Sequence, residues 1–169
     1  MTIRLAFPIV LAAGLIGWVV AGHVARLRVE AIGVGFVTEL HDAQFAFRAA
    51  AGGFASHLDS LTARCPDGGG PWLGAATLDR LAEAGYRVTL RSREGARTLG
   101  SDCHGRPFVE DYYVGLEPGG SRQAALRAYG SNSARRVYVF VDGVAPREAD
   151  MEPGGLATPL EAMPTFRIP

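Results

Sequence analysis

Two cysteines, Cys65 and Cys103, have the most chemistry to offer, and the chain has no others. In an oxidising compartment they would pair and close a loop, a link worth roughly 4 kcal/mol in the chain-entropy model. Joined by His57 and His104 they would instead supply two thiolates and two imidazoles to a tetrahedral Zn²⁺ ion. The close ligand pairing usual in such sites, Cys-x-x-Cys, is missing. A disulfide is therefore the expectation, with free thiols as the other outcome and no metal.

Other reactive side chains suggest less. His41 and Asp42 adjoin on a helical stretch, where neighbouring positions point in different directions, so they read as solvated surface and not as a catalytic pair. His57 and Asp59 follow Gly52-Gly53 and read as partners of local backbone. Glu110 and Asp111 adjoin a strand start, where edge solvation or pairing with arginine is expected. The segments DGGGPWLG and EPGG are Gly-rich, but neither opens a helix after a strand with Lys and Ser/Thr, so a phosphate cradle is not expected. No Ser/His/Asp nucleophile motif occurs. The reading is of a protein that is not an enzyme, with no cofactor and no identified small-molecule substrate. Arg87, Arg91 and Arg93, with Arg97 just beyond, form a row that could touch a polyanion such as DNA. A solvated strand face with Glu117 or Glu110 across from it is the simpler expectation, and the zero net charge makes nucleic acid an unlikely partner.

The elements that position these residues begin with an apolar run. From Leu5 to Ala25 no side chain is formally charged, and the apolar part reaches about Gly22. At a rise of about 1.5 Å per residue such a run can span a bilayer core of about 30 Å. It is longer than the roughly 7–15 apolar residues of a cleavable signal, and the small-x-small sites around VVAGHVA are weak. A retained membrane anchor is expected ahead of a cleaved signal and of a buried soluble helix. Val29, Ile32, Phe36, Leu40, Ala43 and Phe47 then recur at spacings of three and four, with Arg28, Glu30, Glu39, Asp42 and Arg48 mostly off the stripe, as in an amphipathic helix. Gly33 and Gly35 weaken it by about 1 kcal/mol each relative to Ala. Residues 4–51 thus predict one long helix, half in lipid and half against a soluble domain, ended by Gly52-Gly53. Ala13, Gly17 and Ala21 are four apart, the spacing that lets helices approach closely in lipid.

Beyond the helix, Phe54, Leu58 and Leu61 share a face, a Gly/Pro loop follows, and a short helix is predicted over Ala75–Ala84. YRVTLRSR alternates, with Val88 and Leu90 inward and the arginines outward. DYYVGLEP places Tyr112, Val114 and Leu116 on one face. RRVYVFVDG is apolar on both faces, with Asp142-Gly143 as its turn. Strands following helices argue for an α+β fold, with a helix packed on an antiparallel sheet of three to four strands. Five prolines follow residue 145, so that segment is expected to be extended or disordered. The predicted organisation is residues 1–25 anchor, 26–52 amphipathic helix, 53–145 small domain and 146–169 Pro-rich tail.

The pieces AQFAFRAAAGGFASHLDSL, GYRVTL, YYVGLEPGG and RRVYVFVDGV, in this order behind the long helix, resemble the type IV pilin and type II secretion pseudopilin family over roughly residues 5–145. The resemblance implies a structural subunit in the bacterial inner membrane, with one span and a periplasmic or extracellular domain. Its partners would be the membrane and other pilin-like subunits, or itself, assembled into a pilus or secretion filament through the N-terminal helix. The family also carries a basic leader ending in Gly and a Glu early in the apolar run, which pairs with a neighbour's new N-terminus. Here no Gly precedes Gly14 and no acid precedes Glu30. That departure favours a second reading, a tethered extracytoplasmic binding module that does not polymerise.

Overall fold

The computed structural model describes residues 6–120, 126–140 and 143–162, the side chains of 6–16 and of 162 excepted. Helix α1 runs unbroken through 46 residues, Ala6–Ala51. It ends where Gly52 takes a left-handed φ of 91° and returns its N–H to the Arg48 carbonyl, a conformation that costs glycine little. Residues 17–28 are exposed, and packing begins at Val29 and Glu30. From Glu30 to Phe47 the buried positions include Val34, Phe36, Val37, Leu40, Ala43 and Phe47. Ile32 is exposed and Val29 only half-buried, against expectation. The inward face is rotated by about one residue from the apolar pattern, and it carries the polar side chains of Glu30, His41 and Gln44.

The fold is α+β. Short helices α2 (Leu58–Thr62) and α3 (Ala75–Glu83) follow α1, with strand β1 (Phe54–Ala55) between α1 and α2. Leu61 from α2 and Leu81 from α3 enter the same core as α1. The main sheet is antiparallel and five-stranded among the described residues, in the order β2-β5-β6-β7-β8. Its strands are β2 (Tyr86–Ser92), β5 (Tyr112–Pro118), β6 (Ala128–Asn132), β7 (Tyr138–Phe140) and β8 (Thr158–Pro159). β3 (Thr98–Ser101) and β4 (Pro107–Val109) form a hairpin that joins β1 in a second sheet, β1-β4-β3. Tyr112, Val114 and Leu116 of β5 are buried with α1 in the main core, as the alternation predicts. The third predicted strand is narrower than its motif, and part of its Asp142-Gly143 turn lies outside the described residues.

The main sheet exceeds the three to four strands expected and has a second sheet beside it, and two of its elements need a physical account. β6 reads AYGSN, too small and polar to announce a strand, yet four of its five residues are buried. The Pro-rich segment is ordered as far as residue 162: a 3₁₀ turn spans Glu148–Met151, and β8 pairs with β7. Gly115 and Gly130 explain how it is accommodated. They face each other across β5 and β6, and a Cβ on Gly130 would come within 2.6 Å of Pro146 Cγ and 3.0 Å of Met151 Sδ. A Cβ on Gly115 would lie 3.0 Å from Ala145 Cβ. The paired glycines leave a trough in which residues 144–151 lie flat, where prolines need no ladder hydrogen bonds. The sheet is thus covered by α1 on one face and by this strap on the other.

Candidate functional site

Every residue of α1 from Gly17 to Arg28 is exposed. Trp18 is 78% exposed and Val19 60%, and Val20, Val24 and Leu27 are open too. An exposed apolar stretch of this kind is a candidate contact surface. Gly17 and Ala21 lie on it, and nothing comes within 4 Å of a Cβ placed at Gly17. Ala13 and most of the apolar run lie outside the residues whose side chains are described. Among the described residues no helix is long and apolar enough to cross a membrane.

What aims this helix is a seam of polar side chains on its packed half. At the point where α1 leaves the domain, Glu30 is fully buried. Its Oε1 accepts from Arg26 Nε at 2.9 Å and from the Arg127 backbone N–H at 3.3 Å, and the Arg127 guanidinium lies 3.8 Å from Oε2. One turn further, Gly33 lets α1 close on the rings of Tyr86 and Tyr129, which a Cβ would meet at 3.3 and 3.5 Å. The close approach offsets the helix propensity that glycine costs. Gly35, by contrast, faces open space.

His41 stands between α1 and the sheet, 2% exposed, which overturns its reading as solvated surface. Ser131 spends its single hydroxyl proton on the Arg136 carbonyl, 2.7 Å away. The 2.9 Å contact between Ser131 Oγ and His41 Nε2 must then be donated by the ring, which places the proton on Nε2. Nδ1 is left as an acceptor for the Tyr112 hydroxyl at 2.5 Å. The neutral imidazole is satisfied on both sides. Burial, reinforced by Arg135, lowers its pKa to about 4, and burial holds the Tyr112 phenol above its usual range. Asp42 does point outward, where it accepts from Arg135 at 2.6 Å.

Gln44 completes the seam. Its amide donates to the Ala55 carbonyl and accepts from the Ala55 N–H, both at 2.9 Å. β1 has only two residues and pairs with β4 on one side, so Gln44 satisfies backbone groups of Ala55 that the short sheet leaves over. Glu30, His41 and Gln44 fall at spacings of eleven and three, a helical period. The signal was in the sequence, but polar residues are assigned by default to the solvent side.

Cys65 and Cys103 form a disulfide with a Cα–Cα distance of 5.8 Å and a sequence separation of 38. His104 joins them, its ligand atom within 4.8 Å of theirs. His57 instead meets Ser56 Oγ at 2.9 Å, so the pair of histidines imagined for Zn²⁺ is not assembled.

The arginines of β2 and its hairpin are engaged internally. Arg91 pairs with Glu148 at 2.8 Å and stacks 4.7 Å from the centre of the Tyr113 ring. Arg93 pairs with Asp111 at 3.0 Å and with Glu152. Arg97 meets Glu110 at 2.9 Å, and Arg87 stands opposite Glu117 in the ladder. Glu148 also accepts the Glu94 N–H at 2.7 Å. Glu148 and Glu152 belong to the Pro-rich segment and Glu110 and Asp111 to the β4–β5 linker, so Arg91 and Arg93 hold that segment down while Arg97 pairs within its own hairpin region.

Comparison with protein-family models, curated proteins and solved structures finds no match to this chain.

Proposed function

We propose that this chain is a pilin-like structural subunit, held in the bacterial inner membrane by the first half of α1, with its disulfide-closed domain outside the cytoplasm. One observation carries the reading: a single unbroken helix is locked to a small α+β domain by its second half, and its residues 17–28, mostly apolar, are exposed. The bare half continues the uncharged run from Leu5, so together they have the length a bilayer requires. Cohesion between subunits would come from such helices lying side by side, with Ala13, Gly17 and Ala21 allowing close approach. The alternative is a tethered module that does not polymerise. It is favoured by Glu30 being buried against the chain's own Arg26 and Arg127 and so closed to a neighbour's amine.

Expression of the full chain in a Gram-negative host tests both. Retention in the membrane pellet after alkaline carbonate washing is expected, and release into the supernatant would end the anchor reading. Ala21→Cys should then cross-link between copies under oxidation if subunits assemble. Retained protein that never cross-links, there or at Gly17→Cys, would leave the tethered module.

A further inference from the structure

Outside α1, the large apolar side chains exposed among the described residues are Leu99, Val144 and Leu156. Two of them, Val144 at 49% and Leu156 at 82%, line one cleft of about 310 Å³ with Phe140, Ala145, Arg147 and Asp150, whose carboxylate accepts the Arg147 backbone N–H at 2.8 Å.

Strand register fixes where that cleft lies. α1 leaves the domain at Glu30, which holds the backbone N–H of Arg127. Arg127 immediately precedes β6, whose first residue, Ala128, pairs with Phe140 at the end of β7. β8 runs back along β7 with Val139 opposite Thr158, so Leu156 reaches the same rim as Phe140. Ala145 donates its N–H to Glu117, near the last residues of β5, which brings Val144 to that rim as well. The cleft therefore sits on the end of the sheet from which the apolar half of α1 departs. Exposed Arg147 borders it, and Arg26 and Arg28 ring the departing helix.

The geometry points to a second, shallow membrane contact, in which Val144 and Leu156 dip into the headgroup layer and Arg147 meets lipid phosphate. This rests on the anchor reading above, and the occupant it names is the phospholipid surface. The chemistry fits: apolar side chains flanked by arginines partition into the boundary between headgroups and acyl chains, and arginine pairs with phosphate. Both apolar side chains are already open to solvent in the folded chain. The strap needs no rearrangement to present them. Such a contact would fix the domain against the bilayer and stop it swinging about the exposed turns of α1 between Gly22 and Val29.

The test uses the full chain carrying Leu156→Cys, labelled with a small fluorophore while Cys65 and Cys103 remain bonded to each other. It is reconstituted into phosphatidylcholine–phosphatidylglycerol vesicles that contain a lipid with a nitroxide near its headgroup. Ala134→Cys, exposed on the β6–β7 turn at the other end of the sheet, is the reference position. Quenching several-fold stronger at 156 than at 134 is expected, together with a blue-shifted emission. Adding Arg147→Glu should weaken it. Equal, weak quenching at both positions in chain that stays with the vesicles would overturn the contact and leave the anchor standing. A label at 156 shielded from lipid and aqueous quenchers alike would assign the rim to a protein neighbour and overturn it too. Chain that does not stay with the vesicles would remove both readings.

Discussion

Between Gly17 and Arg28, α1 is exposed at every position and mostly apolar; between Glu30 and Phe47 it is buried along one face, and three of the buried side chains are polar. The contrast inverts the usual association of apolar with inside. Apolar contacts are nondirectional and would tolerate rotation of the helix by a fraction of a turn. Glu30, His41 and Gln44 do not, because each must meet a particular backbone or side-chain atom or remain buried without a partner. The packed half thus sets the azimuth and depth of a helix whose residues 17–28 are exposed.

The sharpest break in this comparison is a pair of truncations of similar kind. Phe47→Ala, in the packed half against Trp72 and Phe108, should cost about 3–5 kcal/mol in a denaturant titration. Val20→Ala, in the bare half, should leave that midpoint unchanged and weaken membrane retention. Equal effects on the two readouts would erase the distinction between the halves.

Reduction of Cys65–Cys103 comes next, with an expected loss of about 4 kcal/mol for a loop of this length. The disulfide lies at the C-terminal end of α1, beside Phe47, Ala50 and Ala51, so carbonate-resistant retention should not change. Retention that falls with the disulfide would show the two ends to be coupled.

His41 gives the seam a pH signature. Its folded-state pKa of about 4 lies below the ordinary value of 6.5, so the unfolded chain takes up the proton first as pH falls. The stabilisation is complete above pH 6.5, declines through the window down to about 4, and amounts to about 3 kcal/mol over that span. Denaturation midpoints measured from pH 7 to 5 should fall, and His41→Gln should flatten the slope. A wild-type midpoint that holds constant over that range would mean the imidazole is not locked neutral.

Gln44→Leu should cost about 1–3 kcal/mol by leaving the Ala55 backbone groups unpaired in the core. Amide exchange at Ala55 should accelerate with it. The smallest effect is expected for Arg97→Ala: its ion pair with Glu110 is exposed, and the midpoint should not move measurably.

Much of the architecture was legible before the coordinates. The helix length followed from an apolar run that passes into a three-and-four stripe without a proline, and β2 and β5 from their alternation. Other elements were hidden for physical reasons. β6 carries one large core side chain, Tyr129, and its neighbours Gly130 and Ser131 are small because they make room for the strap and for His41. The strap is not legible in the sequence because proline excludes ladder donors, although it does not exclude lying across a sheet face. His41 was placed on the surface because its partners, Tyr112 and Ser131, are 71 and 90 residues away.

By itself the sequence determined the quantities that add up along the chain: how long the helix is, where it stops being apolar all round, and which two sulfurs are available to each other. Only the tertiary structure decided which face of α1 turns inward, which carboxylates the β2 arginines find, and where the Pro-rich segment lies. Those depend on partners far apart in sequence, and a polar side chain is admitted to a core only once such a partner is in place.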